Sequence, residues 1–215
     1  IIGFSDIMKA ESFGPLGSDK YKEYAGDIND SGNLLLNMIN DVLDIAKVEA
    51  GKYELQDEPL DVQSVIGPSI KQLSLMAQTT DQTISIDVAP DIPCLLGDGR
   101  VLIQMLNNLL SNAIKFTPKG GTITVTGALD VSTDRILISV KDTGVGMSAK
   151  DIAKALEPFE QINSYHSREH KGTGLGLHLC ANFMELFGGD FILESEEGTG
   201  TKASLYFPRE RTIST

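Results

Sequence analysis

Four polar side chains, Gln104, Asn108, Asn112 and Lys115, are spaced four, four and three residues apart in the run 101–118. That spacing puts all four on one face of a helix. Around them stand Leu102, Ile103, Met105, Leu106, Leu109, Leu110, Ala113, Ile114 and Phe116, all apolar. A helix apolar on nearly every other side is expected to be mostly buried. Three amides and an ammonium in that setting need partners, because an unpaired buried amide costs about 1–3 kcal/mol. The partners are either other side chains or a polar ligand, and an ordinary amphipathic helix turning this stripe to water is the remaining alternative.

Two glycine-rich segments follow the stripe. Asp142-Thr-Gly144-Val-Gly146 comes directly after the alternating stretch 135–140, and Gly172-Thr173-Gly174-Leu175-Gly176 comes directly before a helical pattern. Alternate glycines let backbone N–H groups approach an anion, and a helix N-terminus beneath them adds positive potential. The first segment lacks the third glycine and the parallel β-α-β setting of a dinucleotide fingerprint. In their order along the chain, the polar-striped helix, Asp142-x-Gly144-x-Gly146, Glu157-Pro-Phe159 and Gly172-x-Gly174-x-Gly176 resemble the N, G1, F and G2 boxes of the sensor histidine kinases. Four ordered boxes across about half the chain are far more specific than any one of them.

The resemblance implies an α+β, two-layer Bergerat-type ATP-binding sandwich, with a mixed sheet of about five strands and helices on one face. It implies ATP and Mg²⁺ as cofactors. Carried over box by box, Asn112 is the Mg²⁺ ligand with Asn108 beside it, and Lys115 is a phosphate contact. Gln104 takes the first polar position of the N box, where many relatives carry an acid; an amide orients a group but takes no proton. Asp142 reads the adenine amine, with Gly144 and Gly146 giving it room, and Thr201 is the small hydroxyl near the base. The nucleotide-binding set is completed by Gln161 and by Gly172, Thr173, Gly174, Leu175 and Gly176. Gln161 stands where many relatives place an arginine that reaches the γ-phosphate, and Arg168 is the candidate for that charge. His166, His170 and His178 all fall late in the chain and none resembles a phosphoacceptor. The family pattern puts that histidine upstream of Ile1, with relay to the aspartate of a response-regulator receiver domain.

Composition bounds the remaining possibilities. The 215 residues carry 41% hydrophobic and 22% charged residues, ordinary for a globular protein of one or two domains. No apolar run approaches the roughly 18 residues of a membrane span, so a cytoplasmic chain without membrane contact is expected. A net charge of −12 argues against nucleic acid as a partner. Cys94 and Cys180 lie far apart without metal-ligand spacing.

The elements that must position these residues read as follows. The chain opens in mid-helix with no cap, which predicts a helix beginning upstream. A turn at 13–18 leads to a second helix reaching about residue 50 and ended by Gly51. Within it Tyr21, Ile28, Leu35 and Val42 form one heptad seam, and Tyr24, Ser31, Met38 and Ile45 a second. Such a seam implies a homodimer through an antiparallel hairpin; packing on the chain's own globular domain is the alternative. Residues 43–51 also resemble the end of the histidine kinase dimerisation hairpin. We therefore expect a hairpin at 1–54 and a catalytic ATP-binding domain at 55–211. Within the latter an edge strand is expected at 53–55, a helix capped by Asp61 at 62 to about 78 and a strand at 83–88. Asp98 is expected to cap the striped helix. Further on come a hairpin at 122–129 and 135–140, a short helix capped by Ser148, a loop over the site at 158–171 and a helix at 173–187. Strands at 190–195 and 202–207 and a frayed tail from 209 complete the expectation. The hairpin before the ATP domain favours a histidine kinase, or a partner-binding pseudokinase that keeps the fold. A gyrase-like or chaperone-like ATPase clamp is the third reading.

Overall fold

The computed structural model describes residues 1–162 and 172–213. Two compact units follow one another, Ile1–Ala46 and Lys47–Thr215.

In the first unit, α1 (Ile2–Lys9) runs into α2 (Asp19–Glu49), whose last residues belong to the second unit. Close approach of the two helices rests on small and polar residues of α2. Ala25 and Asn29 are buried, and a Cβ at Gly32 would come within 2.9 Å of the Ile2 side chain. Asn29 donates to Ile2 O at 3.3 Å, to Ser5 Oγ at 3.1 Å and to Asp6 Oδ1 at 2.8 Å. The helix ends as its glycine predicts. Gly51 takes φ +62, and the N–H groups of Gly51 and Lys52 return to Val48 O and Lys47 O.

The second unit is an α+β sandwich. Five strands form a mixed sheet in the order β2 (Thr83–Val88), β4 (Thr122–Asp130), β5 (Arg135–Asp142), β7 (Gly200–Phe207), β6 (Asp190–Glu196). Only the β2–β4 pair is parallel. Alternation sends Ile123 and Val125, then Ile136, Ile138 and Val140, then Ala203, Leu205 and Phe207 into the core. Over that face lie α3 (Val62–Thr79), α4 (Gly99–Phe116) and α6 (Gly176–Leu186), with α5 (Ala149–Ala155) beside β6. The predicted caps form: Asp61 accepts from Gln63 N, Asp98 from Arg100 N and Ser148 from Asp151 N. Pro68 does not stop α3, because it sits on the exposed side where water can satisfy the carbonyl it leaves unpaired.

Three local expectations are corrected. The strand expected at 53–55 lies at β1 (Glu58–Leu60), paired antiparallel with an unforeseen β3 (Cys94–Gly97). Leu60 is the residue that buries there, while Tyr53 sets its ring edge-on to Phe183 at 5.3 Å. The tail is not frayed through Ile213. After a 3₁₀ turn at Arg209–Arg211 it adds β8 (Thr212–Ile213) to β3. Arg211 anchors it, donating to Phe187 O at 2.7 Å, Leu96 O at 3.0 Å and Asp57 Oδ1 at 2.8 Å. Finally, α6 begins at Gly176 rather than residue 173, because Gly174 has φ +72 and cannot belong to a helix. Among the described residues, no helix is long and apolar enough to cross a membrane.

Candidate functional site

The striped helix is α4, and its stripe is neither in water nor in the core. Leu102, Met105, Leu106, Leu109, Leu110 and Ala113 are buried, while Gln104, Asn108, Asn112 and Lys115 are half-buried. Asn108 keeps its Nδ2 shielded from solvent with no hydrogen-bond partner among the described residues. No described carboxylate pairs with Lys115, whose ammonium lies 4.8 Å over its own neighbour's ring at Phe116. Burial pulls the Lys115 pKa down. A polar face that the protein shields but leaves partly unsatisfied is suited to a polar ligand.

The second glycine segment stands against this face. A Cβ at Gly172 would lie 2.9 Å from Lys115 Nζ, and one at Gly176 would lie 3.3 Å from Asn108 Cγ. Gly176 is also the first residue of α6, so that helix N-terminus opens beside Asn108. Within the turn, Thr173 Oγ1 accepts from Leu175 N at 3.2 Å, and Leu175 is fully buried. Two bonds tie the turn to the segment after α5: Phe159 N donates to Gly174 O at 2.9 Å, and Gln161 Nε2 to Gly172 O at 2.7 Å. Gln161 therefore braces the glycine turn. Arg168, His166 and His170, and positions 163–171 of the expected loop, lie outside the described residues.

Asp142 closes β5 at the other end of the site. The residue is 7% exposed, and its Oδ1 accepts from Gly144 N at 2.8 Å and from Thr201 N at 3.2 Å. Both donors go to Oδ1, so Oδ2 has no hydrogen-bond partner among the described residues. Burial pushes the Asp142 pKa up, against the opposing effect of the two amides. The glycines here answer to close packing. A Cβ at Gly146, where φ is +64, would strike Glu196 O, and one at Gly200 would strike Asp142 O.

Thus the structure gathers Asn108, Lys115, Gly172 and Gly176 into one cluster and Asp142, Gly144 and Thr201 into another. No group of three His, Cys, Asp or Glu side chains among the described residues could hold a metal. A cation here would depend on amide oxygens and on the ligand's own oxygens, which suits Mg²⁺ rather than Zn²⁺.

Several residues that support the site carried no sequence motif. Gln82 donates through Nε2 to Ile114 O and Thr117 O, capping α4 just past Lys115. His178 Nδ1 lies 3.0 Å from Leu156 O at the end of α5. Ser195 accepts from Met147 N at 2.8 Å, just after the first glycine segment, and lies 2.8 Å from the Thr201 hydroxyl. Of these, Ser195 was within reach of a register count, since it stands directly across the β6–β7 hairpin from Thr201.

Residues 97–211 match the family described as histidine kinase-, DNA gyrase B-, and HSP90-like ATPase. The chain is 38% identical over 221 residues to the cell-division control histidine kinase PdhS of Brucella canis, covering 99% of this chain and 21% of PdhS. It is 42% identical over 210 residues to the non-motile and phage-resistance protein of Caulobacter vibrioides, covering 97% of this chain and 25% of that protein. It therefore spans only about a quarter or less of these curated relatives. A crystal structure of full-length ShkA in complex with AMPPNP superposes with a TM-score of 0.81 at 27% identity, over 100% of this chain and 43% of ShkA. The chain belongs to the histidine kinase-, DNA gyrase B-, and HSP90-like ATPase family, and within it carries the catalytic domain of a sensor histidine kinase.

Proposed function

We propose that this chain binds Mg-ATP and acts as the kinase core of a two-component sensor histidine kinase in the cytoplasm. It would transfer the γ-phosphate to a histidine upstream of Ile1, for relay to a response-regulator aspartate. The observation that carries the nucleotide reading is Asp142: a buried carboxylate with one oxygen held by the protein and the other without a described partner. An acceptor in that position suits the exocyclic amine of adenine. Gly172–Gly176 and the start of α6 would face the phosphates, with Lys115 as a point charge and Asn108 as a hydrogen-bonding amide. Asn112 would hold Mg²⁺, which supplies neutralisation of charge on the phosphate oxygens. Gln104 would orient groups on the same face, and Arg168 would supply a second positive charge. The nucleotide analogue in the ShkA complex supports this reading for a relative of the same fold. Self-association of two hairpins through the seams of α2 would form the homodimer.

Calorimetric titration with ATP and GTP in Mg²⁺ tests the reading. ATP should bind more tightly than GTP. Asp142→Asn should weaken ATP by roughly 1.5–3 kcal/mol, the range for a hydrogen bond to a charged group. Unchanged affinity in that variant would remove the adenine assignment. Residues 1–54 contain no histidine, so labelled γ-phosphate should leave no acid-labile label on these 215 residues.

A further inference from the structure

The hydroxyl of Ser195 stands among three polar groups. Gly200 O lies 2.9 Å away, Met147 N 2.8 Å and Thr201 Oγ1 2.8 Å. A serine hydroxyl has one proton and two lone pairs. The Gly200 carbonyl can only accept, so the proton of Ser195 points to it. The Met147 N–H can only donate, and it takes one lone pair. The remaining lone pair can only accept, which makes Thr201 the donor and turns the Thr201 proton toward Ser195. All three bonds are satisfied in this arrangement. With its proton committed, Thr201 Oγ1 offers only lone pairs to anything else that approaches.

Thr201 also sits beside Asp142. Its backbone N–H donates to Asp142 Oδ1 at 3.2 Å. Strand alternation places Thr201 on the same sheet face as Ala203 and Leu205, and Asp142 on the same face as Val140 and Ile138. Two acceptors, the Asp142 carboxylate and the Thr201 hydroxyl, therefore share one end of the helix-covered face.

We propose that Ser195 is a specificity-determining positioning residue: by holding Thr201 as a pure acceptor next to Asp142, it makes the site select a purine with an exocyclic amine over one with a carbonyl at the same ring position. This rests on the adenine reading of the site and adds to it the device that sets the reading. Asp142 alone does not reject a carbonyl purine, because a carboxylate also accepts from the ring N–H that such a base carries. Thr201 supplies the rejection only while its proton is held elsewhere.

The test compares ATP with inosine triphosphate, which carries a carbonyl in place of the amine, by calorimetry at fixed Mg²⁺. The parent chain should prefer ATP. Ser195→Ala frees the Thr201 proton to donate to a carbonyl, so the ratio of the two dissociation constants should shrink by about fivefold, the effect of one hydrogen bond. Ser195→Thr keeps the hydroxyl on a residue suited to a strand and should restore the parent ratio. Thr201→Val removes the acceptor, leaves Ser195 in place and should shrink the same ratio; it carries the test where Ser195→Ala loses its fold. Equal weakening of both nucleotides in Ser195→Ala, or a Ser195→Thr ratio no different from that of Ser195→Ala, would show a mere brace and overturn the proposal. A parent with no preference for ATP would instead overturn the adenine reading itself, so the two failures are distinguishable.

Discussion

The two units of the chain bury opposite kinds of residue. In Lys47–Thr215 the fully enclosed side chains include Leu106, Ile138, Phe183 and Phe207, all apolar. In Ile1–Ala46 the buried residues are Ser5, Ala25 and Asn29, while Ile28, Leu35, Ile39, Val42 and Leu43 are 41–57% exposed. Apolar burial stabilises at about 25 cal/mol per Å², so the second unit has a core of its own and the first has its apolar surface still to cover. What lies inside the hairpin is a satisfied polar cluster, in which Asn29 serves three acceptors on α1. Such a cluster adds little stability over an apolar one but penalises any other register. The sequence-level heptads are thus on the outside of this hairpin, which is the arrangement that a homodimer through α2 requires.

If the second unit depends on its own core, truncating that core should have the largest effect. Phe207 is fully buried, with its ring edge-on to Phe187 at 5.4 Å. Phe207→Ala should cost the second unit about 3–5 kcal/mol, read as a lower denaturant midpoint, with sedimentation of the chain unchanged under native conditions. The converse variant lies in the hairpin. Leu35→Asp should remove about 2–4 kcal/mol of association free energy and shift sedimentation from dimer to monomer, while the unfolding midpoint of the second unit stays put. A parent chain that sediments as a monomer at every concentration would break the comparison, since the exposed seam would then have no self-partner.

Long periodic elements were legible in the sequence and short paired ones were not. Three helix caps, the alternation in β4, β5 and β7 and the polar stripe of α4 follow from local spacing, which physics reads over a few residues. Strands β1, β3 and β8 are four residues or fewer and pair across 35 to 39 and more than a hundred positions of sequence. Nothing local marks Glu58, Cys94 or Thr212 as ladder partners, and the docking of the tail depends on Arg211 reaching Asp57, Leu96 and Phe187 at once. At the site, the glycines of the first segment are expected for access to a ligand, and the packing of Gly144 against Phe116 and of Gly146 against Glu196 adds a second reason for them. The supports supplied by Gln82 and His178 were invisible because each acts through a hydrogen bond to a residue distant in sequence, whereas Ser195 was open to a register count across the β6–β7 hairpin.

A smaller effect separates specificity from stability in the hairpin. Asn29→Ala leaves Ser5 Oγ and Asp6 Oδ1 without their donor inside the first unit and should destabilise the hairpin by about 1–3 kcal/mol. Asn29→Leu, which fills the space, should recover helical content by circular dichroism but lose the single register. Paired spin labels on the exposed Lys9 and Glu23 would report this as a broadened distance distribution. A narrow distribution in Asn29→Leu would show that the polar cluster specifies nothing.

The smallest effect distinguishes two buried carboxylates within the second unit. Burial raises the pKa of Asp98, but the Arg100 side chain and the N–H groups of Gln56 and Arg100 more than offset it, so its net shift is downward. Asp142 is also buried, has only two backbone amides to set against burial, and shifts upward. The signs for folding are therefore opposite. Asp98 contributes stability that is present above its unfolded pKa and lost as pH falls through the folded one; Asp142 contributes stability that is present below its unfolded pKa and lost as pH rises through its raised folded one. At neutral pH the ionised Asp142 is thus a cost to the fold, and an amine donor bound to the carboxylate would reduce it. ATP affinity should accordingly be flat near neutrality and decline on acidification by at most about tenfold per pH unit, beginning above the range of an ordinary aspartate, because the protonated carboxyl offers a donor where the amine needs an acceptor. Asp142→Asn should abolish this pH dependence along with much of the affinity, while its urea midpoint near neutrality rises. Asp98→Asn should instead lower that midpoint near neutrality and leave the acid decline of ATP binding in place. An acid decline that survives in Asp142→Asn would assign the titration to another group and remove Asp142 from the reading of the base.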